Sequence, residues 1–437
     1  MDINNLKNCP CGKIHHSDVK NIITGSGAVN KLPDVLKEMG TKKVFLLADC
    51  NTYSAAGKAV LKLLSDNDIA YSEYIFSDTA LEPDEKAVGA AVMHYDADCD
   101  IVVAVGSGVI NDIGKILSNT ANRPYIIIAT APSMDGYASA TSSMTMDGLK
   151  VSLPSRCADV IIGDTDILKN APEKMLKAGI GDMIAKYISI SEWRISHLIT
   201  GEYYCEAVAD LVRTALKKCV YNADGLLKRD GEAVEAVFNG LIIGGIAMAY
   251  AGLSRPASGV EHYISHVWDM RGASLGTPVE LHGLQCALGT LIAVKMYEKF
   301  KKLTPDRERA LACVNSFDYS KWSDELRNFL GSSADTMIAL EKKEQKYDTK
   351  KHEKRLSCVI ENFENILQII KEEIPDLRDI EVLFEKTELP KSLTEIGLDE
   401  EILPMTFKAT KDIRDKYVLS SMCWDLGILD EITEDMI

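Results

Sequence analysis

Over its first 168 residues, the chain alternates short apolar runs with segments whose apolar residues recur at a helical period. The runs that are continuous enough to be buried strands are Val44–Ala48, Ile101–Val105, Tyr125–Ala129 and Val160–Ile162. The clearest helical segments between them are Leu32–Met39, Ala56–Leu64 and Glu85–Tyr95. Strands and helices in alternation predict βαβ units, and hence a mostly parallel sheet that helices cover on both faces.

Two later regions depart from this alternation. Ser143–Leu153 has two short alternating segments around Asp147-Gly148, which is typical of a tight β-hairpin. From Asn170 to about Leu429 the strand patterns nearly vanish and helical periodicity continues. The pattern therefore predicts two domains, an α/β domain over residues 1–168 and an all-α domain over residues 169–437.

Composition and charge narrow the classes of partner. The chain has 437 residues, of which 46% are hydrophobic and 26% charged, as in an ordinary globular protein. Its net charge of −16 repels the phosphates of nucleic acids and anionic lipids. We therefore expect neither nucleic acid nor a membrane as a partner, although a local basic pocket could still bind one small anion.

The termini and the cysteines favour a cytoplasmic protein. The N-terminal residues lack the apolar stretch of a secretory signal. The most apolar run, Leu241–Leu253, is shorter than the ~20 residues of a membrane span and contains three glycines, so it predicts a buried helix. The 11 cysteines are scattered from Cys9 to Cys423, which does not indicate a disulfide framework.

A glycine-containing loop follows one of the predicted strands. Gly106-Ser107-Gly108 lies directly between the run ending at Val105 and a helical pattern. Glycines at such a turn let backbone N–H groups approach a phosphate, and the helix N-terminus adds partial positive charge. Because Asn111 stands where a third glycine is usual, the spacing alone leaves phosphate binding and a plain tight turn equally open.

Asp49 is a second feature of a dinucleotide site, since it directly follows the run Val44–Ala48. A carboxylate at that position can accept hydrogen bonds from the adenosine ribose of NAD. Taken alone, Asp49 is more simply an ordinary loop residue. Together with the glycine loop it favours a nicotinamide cofactor, with a weak preference for NAD because a carboxylate disfavours the 2′-phosphate of NADP.

Three of the eight histidines lie close together in sequence. His262 and His266 share one helix face at a spacing of four, and His282 follows a loop. Asp182 and Lys186 have the same spacing near the start of another predicted helix. Two imidazoles and a carboxylate are a typical three-ligand metal site with an open position for a substrate oxygen. Each histidine alone would be a structural side chain, but the group favours a metal.

Two other segments have weaker signals. The segment Cys9–His16 contains two cysteines and two histidines, but its spacing is tighter than in most zinc sites. A thiol-bearing turn is the favoured interpretation there. Glu341–Arg355 is a mixed-charge run without apolar anchors, which predicts a solvated helix face or a flexible insertion.

Several long motifs are specific enough to indicate a family. Ser254–Met270 is the most specific, and Ala129–Ser139 and Gly181–Tyr187 support it. On these motifs the chain resembles the bacterial branch of the sn-glycerol-1-phosphate dehydrogenase family. That family lies in the superfamily of iron-type alcohol dehydrogenases, glycerol dehydrogenases and dehydroquinate synthases. The resemblance covers about Lys20–Val294 and returns at Ile413–Tyr417.

The resemblance implies an architecture like that of dehydroquinate synthase, with an α/β NAD-binding domain, an all-α metal-binding domain and an active site in the cleft between them. The residues that match the metal ligands are Asp182, His262 and His282. The residues that match substrate contacts are Asp135, Asp182 and His266. The residues that match cofactor contacts are Gly106, Ser107, Gly108, Val109, Ile110, Asn111, Thr130, Ser133 and Ser139.

The activity that the resemblance implies is reversible hydride transfer between NAD(H) or NADP(H) and C2 of a phosphorylated triose, interconverting dihydroxyacetone phosphate and sn-glycerol 1-phosphate. One divalent metal, with zinc or nickel favoured over iron, would polarise the C2 oxygen. Asp182 and His266 would be the catalytic residues, with His266 relaying the alcohol proton. Lys186 and Arg255 are candidates for binding the phosphate, from local position alone. We expect a homodimer or a larger homo-oligomer.

Other functions stay open at this point. A glycerol or other polyol dehydrogenase on the same scaffold is the nearest alternative, and a catalytically idle nucleotide-binding protein is a further one. The chain also departs from the family in places. Cys286 stands where relatives more often have a valine, the region Lys301–Asp379 is expanded, and the segment Cys9–His16 lies outside the resemblance.

Overall fold

The structure of the chain, a computed structural model, describes residues 6, 9–146, 149–434 and 436. The chain folds into two compact units, and each is assembled from two separate segments. The first unit comprises Met1–Met183 and Asp210–Leu253, and the second comprises Ile184–Ala209 and Ser254–Ile437. The predicted boundary between residues 168 and 169 stays a prediction as a domain boundary.

Among the described residues, the first unit contains a six-stranded parallel sheet and a separate two-stranded ribbon. The strands are β1 (Asn21–Gly25), β2 (Lys43–Asp49), β3 (Ala70–Phe76), β4 (Ile101–Gly106), β5 (Tyr125–Ala129), β6 (Thr141–Met146), β7 (Leu149–Pro154) and β8 (Val160–Asp164). The order across the sheet is β1-β8-β5-β4-β2-β3, and all neighbouring pairs are parallel. The predicted α/β fold is therefore confirmed.

The predicted apolar runs form the inner strands β2, β4, β5 and β8. β4 and β5 are buried at every position, which is the pattern of a sheet covered on both faces. The edge strands β1 and β3 have exposed and half-buried residues, so neither presents a continuous apolar run to sequence reasoning. Leu46, Val103 and Ile128 lie at the centre of the core, where each buried aliphatic side chain contributes about 1.5–3 kcal/mol.

The ribbon of β6 and β7 matches the predicted hairpin. The two strands are antiparallel, and their register runs from Thr141 opposite Pro154 to Met146 opposite Leu149. This register leaves two residues for the connection, as a tight hairpin requires. The predicted turn residues, Asp147 and Gly148, lie outside the described residues.

After β8, every described element is a helix, which confirms the predicted change of pattern. The α-helices of the chain are α1 (Leu32–Glu38), α2 (Cys50–Thr52), α3 (Lys58–Asp66), α4 (Glu85–His94), α5 (Gly108–Ala121), α6 (Thr165–Leu168), α7 (Glu173–Ile184), α8 (Lys186–Thr200), α9 (Glu206–Tyr221), α10 (Ala223–Leu226), α11 (Gly231–Ala251), α12 (Val260–Leu275), α13 (His282–Phe300), α14 (Arg307–Asn315), α15 (Tyr319–Leu330), α16 (Ala334–Glu344), α17 (Thr349–Glu361), α18 (Phe363–Glu373), α19 (Leu377–Thr387), α20 (Leu403–Ile413), α21 (Leu419–Asp425) and α22 (Leu429–Glu434).

The most apolar helix is α11, which contains most of the predicted run Leu241–Leu253. By length and composition it could cross a membrane, but 72% of its most apolar window is buried inside the protein, as in a core helix. It packs tightly on the sheet, because a Cβ at Gly163 of β8 would lie 2.0 Å from the ring of Phe238. The predicted buried helix is therefore confirmed.

The mixed-charge run Glu341–Arg355 forms the end of α16 and the start of α17. Most of its residues are exposed, in line with the predicted solvated face. The run is also anchored, because Glu341 and His352 are buried. Arg355 donates to both carboxylate oxygens of Asp425 at 2.8 Å. Tyr347 also packs on Trp424 of α21, with ring centroids 4.8 Å apart, so an aromatic anchor holds the run besides these polar groups.

Candidate active site

The order of the parallel sheet reverses between β2 and β4. From β2 the chain continues outward to β3, whereas from β4 it continues in the opposite direction to β5. Ligands of open α/β sheets bind at the carboxyl ends of the strands at such a point. Asp49 ends β2, Gly106 ends β4 and Thr130 directly follows β5. The structure thus brings three predicted cofactor residues to the same edge of the sheet.

The glycine loop joins β4 to α5 with almost no spare space. A Cβ on Gly106 would lie 2.4 Å from the Cβ of Ile110, so packing alone requires a glycine there. A Cβ on Gly108 would make only ordinary contact with Met134, at 3.6 Å. Gly108 is the first residue of the 14-residue helix α5, whose N-terminus carries partial positive charge. Packing therefore requires a glycine at position 106, whereas position 108 has room for a larger residue.

Two residues in the first turn of α5 have buried side chains. Ile110 and Asn111 are buried. The Asn111 amide donates to the carbonyl oxygen of Gly136 at 3.3 Å, and its oxygen accepts from the Tyr125 hydroxyl at 3.2 Å. Asn111, which replaces the usual third glycine, thus ties α5 to the loop after β5. The predicted cofactor contacts of Val109, Ile110 and Asn111 stay predictions.

Asp49 has a structural role at the same edge. Its Oδ1 accepts from the backbone N–H groups of Asn51 at 2.8 Å and Thr52 at 2.9 Å, and the Thr52 hydroxyl accepts from the Asp49 N–H. This capping box starts α2 and accounts for a carboxylate here without a cofactor. Ser133 and Ser139 are half-buried in the loop after β5. The cofactor roles of Asp49 and both serines stay predictions.

Asp182 lies beside Asp135 in the first unit. α7 approaches the loop after β5 so closely that a Cβ on Gly179 would lie 1.8 Å from the carbonyl oxygen of Pro132. Asp182 is fully buried, and its Oδ2 accepts from the backbone N–H of Asp135 at 3.0 Å. Gly179 therefore allows the approach that brings the buried carboxylate beside Asp135, a substrate position that the resemblance implies.

The predicted placement of Asp182 and Lys186 near the start of one helix is wrong. α7 begins at Glu173 and ends at Ile184, so Asp182 stands near its end, and Lys186 begins α8. Gly179 lies inside α7, where the helix packs closely against Pro132.

The histidines come together in the second unit. His262 lies in the first turn of α12 and His282 begins α13, and the centroids of their rings are 5.1 Å apart. His266, one turn after His262, is half-buried, and its ring centroid lies 6.0 Å from that of His282. Cys286, one turn after His282, completes a donor cluster. One donor atom from each of His262, His282 and Cys286 lies within 4.8 Å of the other two.

Hydrogen bonds orient both imidazoles. The Oε1 of Glu261 lies 2.8 Å from Nδ1 of His262, and the Oγ of Ser265 lies 3.2 Å from Nδ1 of His282. The side-chain amide of Gln285 in turn contacts Ser265 Oγ at 2.7 Å. When a carboxylate or hydroxyl engages Nδ1, the ring is fixed with Nε2 as the donor to a metal. The residues therefore fit a divalent metal, and sequence reasoning missed Glu261 and Ser265.

A buried polar network supports the start of α12. Glu192 accepts from the backbone N–H groups of Val260 and Leu419, each at 2.8 Å. Lys416 donates to three backbone carbonyls, including that of Ser258 at 2.7 Å. Burial raises the pKa of Glu192 and lowers that of Lys416, in each case to about 8. Only the match at Ile413–Tyr417 drew attention to Lys416 in the sequence.

Electrostatics also distinguish Cys286 from an ordinary buried thiol. Burial by itself raises the pKa of its thiol, but the imidazoles of His262 and His282 outweigh burial and hold the pKa below its usual value. Cys219, which is equally buried but lies far from any histidine in sequence, has its pKa raised by burial to about 12. The imidazoles therefore make this thiol more acidic than burial alone would leave it.

The two cations proposed for phosphate binding are buried and engaged by the protein. Lys186 donates to the carbonyl oxygen of Ala257 at 3.3 Å. Arg255 pairs with Glu202 at 2.7 Å and with Asp415 at 2.9 Å. Arg255 therefore has its charge balanced in this structure, and phosphate binding by either residue stays a prediction.

The N-terminal cysteine segment makes local contacts within the first unit. Cys11 Sγ lies 3.3 Å from Nε2 of His15, whose Nδ1 lies 3.0 Å from the carbonyl oxygen of Tyr250. His16 is exposed and pairs with Asp18 at 3.1 Å. The favoured interpretation as a thiol-bearing turn stays a prediction.

Comparison with known proteins identifies the family. The model of the iron-containing alcohol dehydrogenase family matches residues 23–172. The glycerol-1-phosphate dehydrogenase [NAD(P)+] of Halalkalibacterium halodurans is 34% identical over 314 residues, which cover 70% of this chain and 79% of the relative. The enzyme of the same name from Geobacillus thermodenitrificans is 32% identical over 294 residues, covering 66% and 73%.

Among solved structures, glycerol dehydrogenase from Schizosaccharomyces pombe has the same fold. It superposes with a TM-score of 0.61 at 17% identity, and the match covers 97% of this chain and 92% of that one. At this identity the likeness concerns the fold alone. The sequence relatives decide the family: the chain belongs to the glycerol-1-phosphate dehydrogenase family.

Proposed function

We propose that the chain is a metal-dependent oxidoreductase that interconverts dihydroxyacetone phosphate and sn-glycerol 1-phosphate with NAD(H) or NADP(H). The relatives at 34% and 32% identity have this activity in their names. The observation that carries the proposal is the pair of imidazoles of His262 and His282, each oriented through Nδ1 by a neighbouring side chain. Histidines that ligate a metal are commonly oriented through the other ring nitrogen in this way, which supports the proposal.

The proposed metal ligands are Asp182, His262 and His282. Two imidazoles and a carboxylate suit zinc, nickel or ferrous iron. When bound, the metal supplies Lewis-acid polarisation of the C2 oxygen, and the nicotinamide supplies or accepts the hydride. Glu261 holds the ring of His262 in the ligating orientation, and Ser265 does the same for His282.

His266 is the proposed proton relay. It is half-buried, whereas His262 is buried, so it can exchange a proton with solvent. Histidine is the side chain most often used to accept and donate a proton at physiological pH, which suits it to carry the alcohol proton. Asp135 and Asp182 are the proposed substrate contacts, with the Asp135 backbone N–H already fixing the orientation of Asp182.

The cofactor is proposed to lie at the carboxyl ends of β2 and β4. The reversal of strand order there and the N-terminus of α5 support a pyrophosphate at Gly106–Gly108. The carboxylate of Asp49 is engaged in its capping box, and only its proximity to this edge supports a ribose contact. We propose binding of either NAD or NADP.

The phosphate of the substrate requires a cation in a chain of net charge −16. We propose Lys186 and Arg255 as its ligands. Removing either charge, in Lys186→Met or Arg255→Met, is expected to raise KM for dihydroxyacetone phosphate and to leave that for dihydroxyacetone nearly unchanged. An equal change for both substrates would instead assign these side chains to the fold.

The test of the substrate is oxidation of NADH and of NADPH with dihydroxyacetone phosphate and dihydroxyacetone in parallel. The proposal expects turnover of the phosphorylated ketone at a far higher kcat/KM, and a product that a dehydrogenase specific for the sn-glycerol 3-phosphate enantiomer does not oxidise. Preference for dihydroxyacetone would support the polyol dehydrogenase alternative. Turnover of neither ketone would support an idle nucleotide-binding protein.

Assembly and location complete the proposal. We propose a cytoplasmic homo-oligomer, because soluble metabolic enzymes commonly form symmetric dimers. No disulfide joins any of the cysteines, all of which lie in the described part of the chain, and this suits a reducing compartment. Light scattering during size-exclusion chromatography tests the oligomer, where the mass of a single chain would contradict it.

A further inference from the structure

The donor cluster of the second unit contains one side chain that the proposed ligand set does not use. Cys286 is fully buried on α13, four residues after His282, so both side chains emerge on the same helix face. Its Sγ lies 3.5 Å from Nε2 of His282, and a donor atom of His262 lies within 4.8 Å of both. A thiol therefore stands on the side of His282 from which a metal would bind.

The distance between the two donors is what a shared metal requires. A zinc ion binds sulfur at about 2.3 Å and imidazole nitrogen at about 2.0–2.1 Å, so two such ligands at a tetrahedral angle stand about 3.6 Å apart. The 3.5 Å between Sγ of Cys286 and Nε2 of His282 matches this spacing. The two atoms can thus ligate one ion with little movement of α13.

Buried cysteines elsewhere in the chain are placed differently. Cys157 donates to the carbonyl oxygen of Ala138 at 3.3 Å, and Cys219 donates to that of Ala236 at 3.2 Å. These are the ordinary contacts of a structural thiol. Cys286 Sγ instead contacts the imidazole of His282, at 3.5 Å from Nε2 and 3.9 Å from Nδ1. Its thiol therefore lies beside nitrogen atoms that can ligate a metal.

We propose that Cys286 is an additional ligand of the metal, bound through its thiolate beside His262 and His282. The inference rests on the proposed function, because it assumes a metal at these imidazoles. A thiolate would place a negative charge on the ion and would select softer ions, such as zinc or nickel, over magnesium or manganese. It would also moderate the positive charge that the ion presents to a substrate oxygen.

X-ray absorption at the zinc edge tests the ligand directly. The full-length protein, loaded with one zinc per chain, is expected to show a sulfur shell at about 2.3 Å beside nitrogen and oxygen at about 2.0–2.2 Å. Cys286→Ser is expected to lose the sulfur shell and to bind zinc at least about tenfold more weakly. Cys9→Ser/Cys11→Ser, which removes the thiols of the N-terminal segment, is the control and keeps the shell.

The outcomes separate this inference from the proposed function. One zinc per chain with nitrogen and oxygen neighbours alone would overturn ligation by Cys286 and leave the metal site standing. A sulfur shell that disappears in Cys9→Ser/Cys11→Ser and persists in Cys286→Ser would overturn it as well. Failure of the full-length protein to bind zinc, nickel or iron would overturn both the ligand and the metal-dependent function. A sulfur shell that persists in Cys9→Ser/Cys11→Ser supports ligation by Cys286 even where Cys286→Ser fails to fold.

Discussion

The sheet edge at the ends of β2 and β4 in the first unit depends on backbone groups, whereas the donor cluster of His262, His282 and Cys286 in the second unit depends on side chains. The edge depends on topology: strand ends, a helix N-terminus and two glycines bring backbone groups to one place. The donor cluster depends on side chains, and Glu261 and Ser265 hold each imidazole at one orientation. Substitutions at the edge should therefore act through backbone packing, and substitutions in the cluster through individual donor atoms.

The largest expected effect is the loss of a donor atom from the cluster. His262→Ala is expected to lower kcat/KM for dihydroxyacetone phosphate by at least about 100-fold, because Lewis-acid stabilisation is worth several kcal/mol. The variant should also lose bound metal in elemental analysis. His16→Ala, which changes an exposed histidine, is the control and should keep both. Full turnover in His262→Ala would remove this residue from the metal site.

Loss of an orienting side chain should have a smaller effect. Glu261→Gln keeps the shape of the side chain but loses the carboxylate charge 2.8 Å from Nδ1 of His262. The expected result is an affinity for zinc about 10–100-fold weaker, measured by competition with a chelating dye. Unchanged affinity, with the fold intact by circular dichroism, would show that Glu261 serves only the packing of α12.

The two glycines of the loop allow a matched pair of substitutions that separate packing from cofactor binding. Gly106→Ala places its Cβ 2.4 Å from that of Ile110, so the expected cost is about 1–3 kcal/mol of unfolding free energy, measured by denaturant titration. Such overpacking distorts the turn, and cofactor binding should weaken with it. A stability equal to that of the unsubstituted chain would contradict the packing argument.

Gly108→Ala should have the smallest effect on the fold. Its Cβ has room beside Met134, and alanine favours a helical position by up to about 1 kcal/mol over glycine. The stability should therefore be unchanged or slightly higher. The affinity for NADH, followed by fluorescence, should nevertheless fall, because a methyl group obstructs the approach of a phosphate to the backbone. Unchanged affinity would place the pyrophosphate elsewhere.

Sequence reasoning recovered those parts of the fold that follow from local pattern. The continuous apolar runs predicted inner strands such as β4 and β5, since burial on both faces leaves no polar positions. The edge strands β1 and β3 were missed because their half-exposed residues resemble loops. Asp182 was expected near the start of a helix but stands near the end of α7, and the contact that places Gly179 inside this helix is with Pro132, which is distant in sequence.

In the candidate active site, too, local sequence pattern predicted only part of the arrangement. The spacing of His262 and His266 predicted that they share a face of one helix, and the closeness of His282 in sequence favoured a metal site. The partners of those imidazoles were not predictable, since Glu261 and Ser265 are ordinary residues in a helical pattern. The role of Lys416 was even less predictable, because its contacts with Ser189 and Ser258 join segments that are distant in sequence. Local periodicity has no information about such pairs.

The central claim is that a metal at His262 and His282 enables reduction of dihydroxyacetone phosphate. The most direct test strips the protein with a chelator, dialyses it, and measures NADH oxidation before and after refilling with zinc, nickel or ferrous iron. We expect activity to fall to the background of the assay in the stripped protein and to return with at least one of these ions, in proportion to the metal bound. Full activity in protein shown by elemental analysis to hold no metal would contradict it.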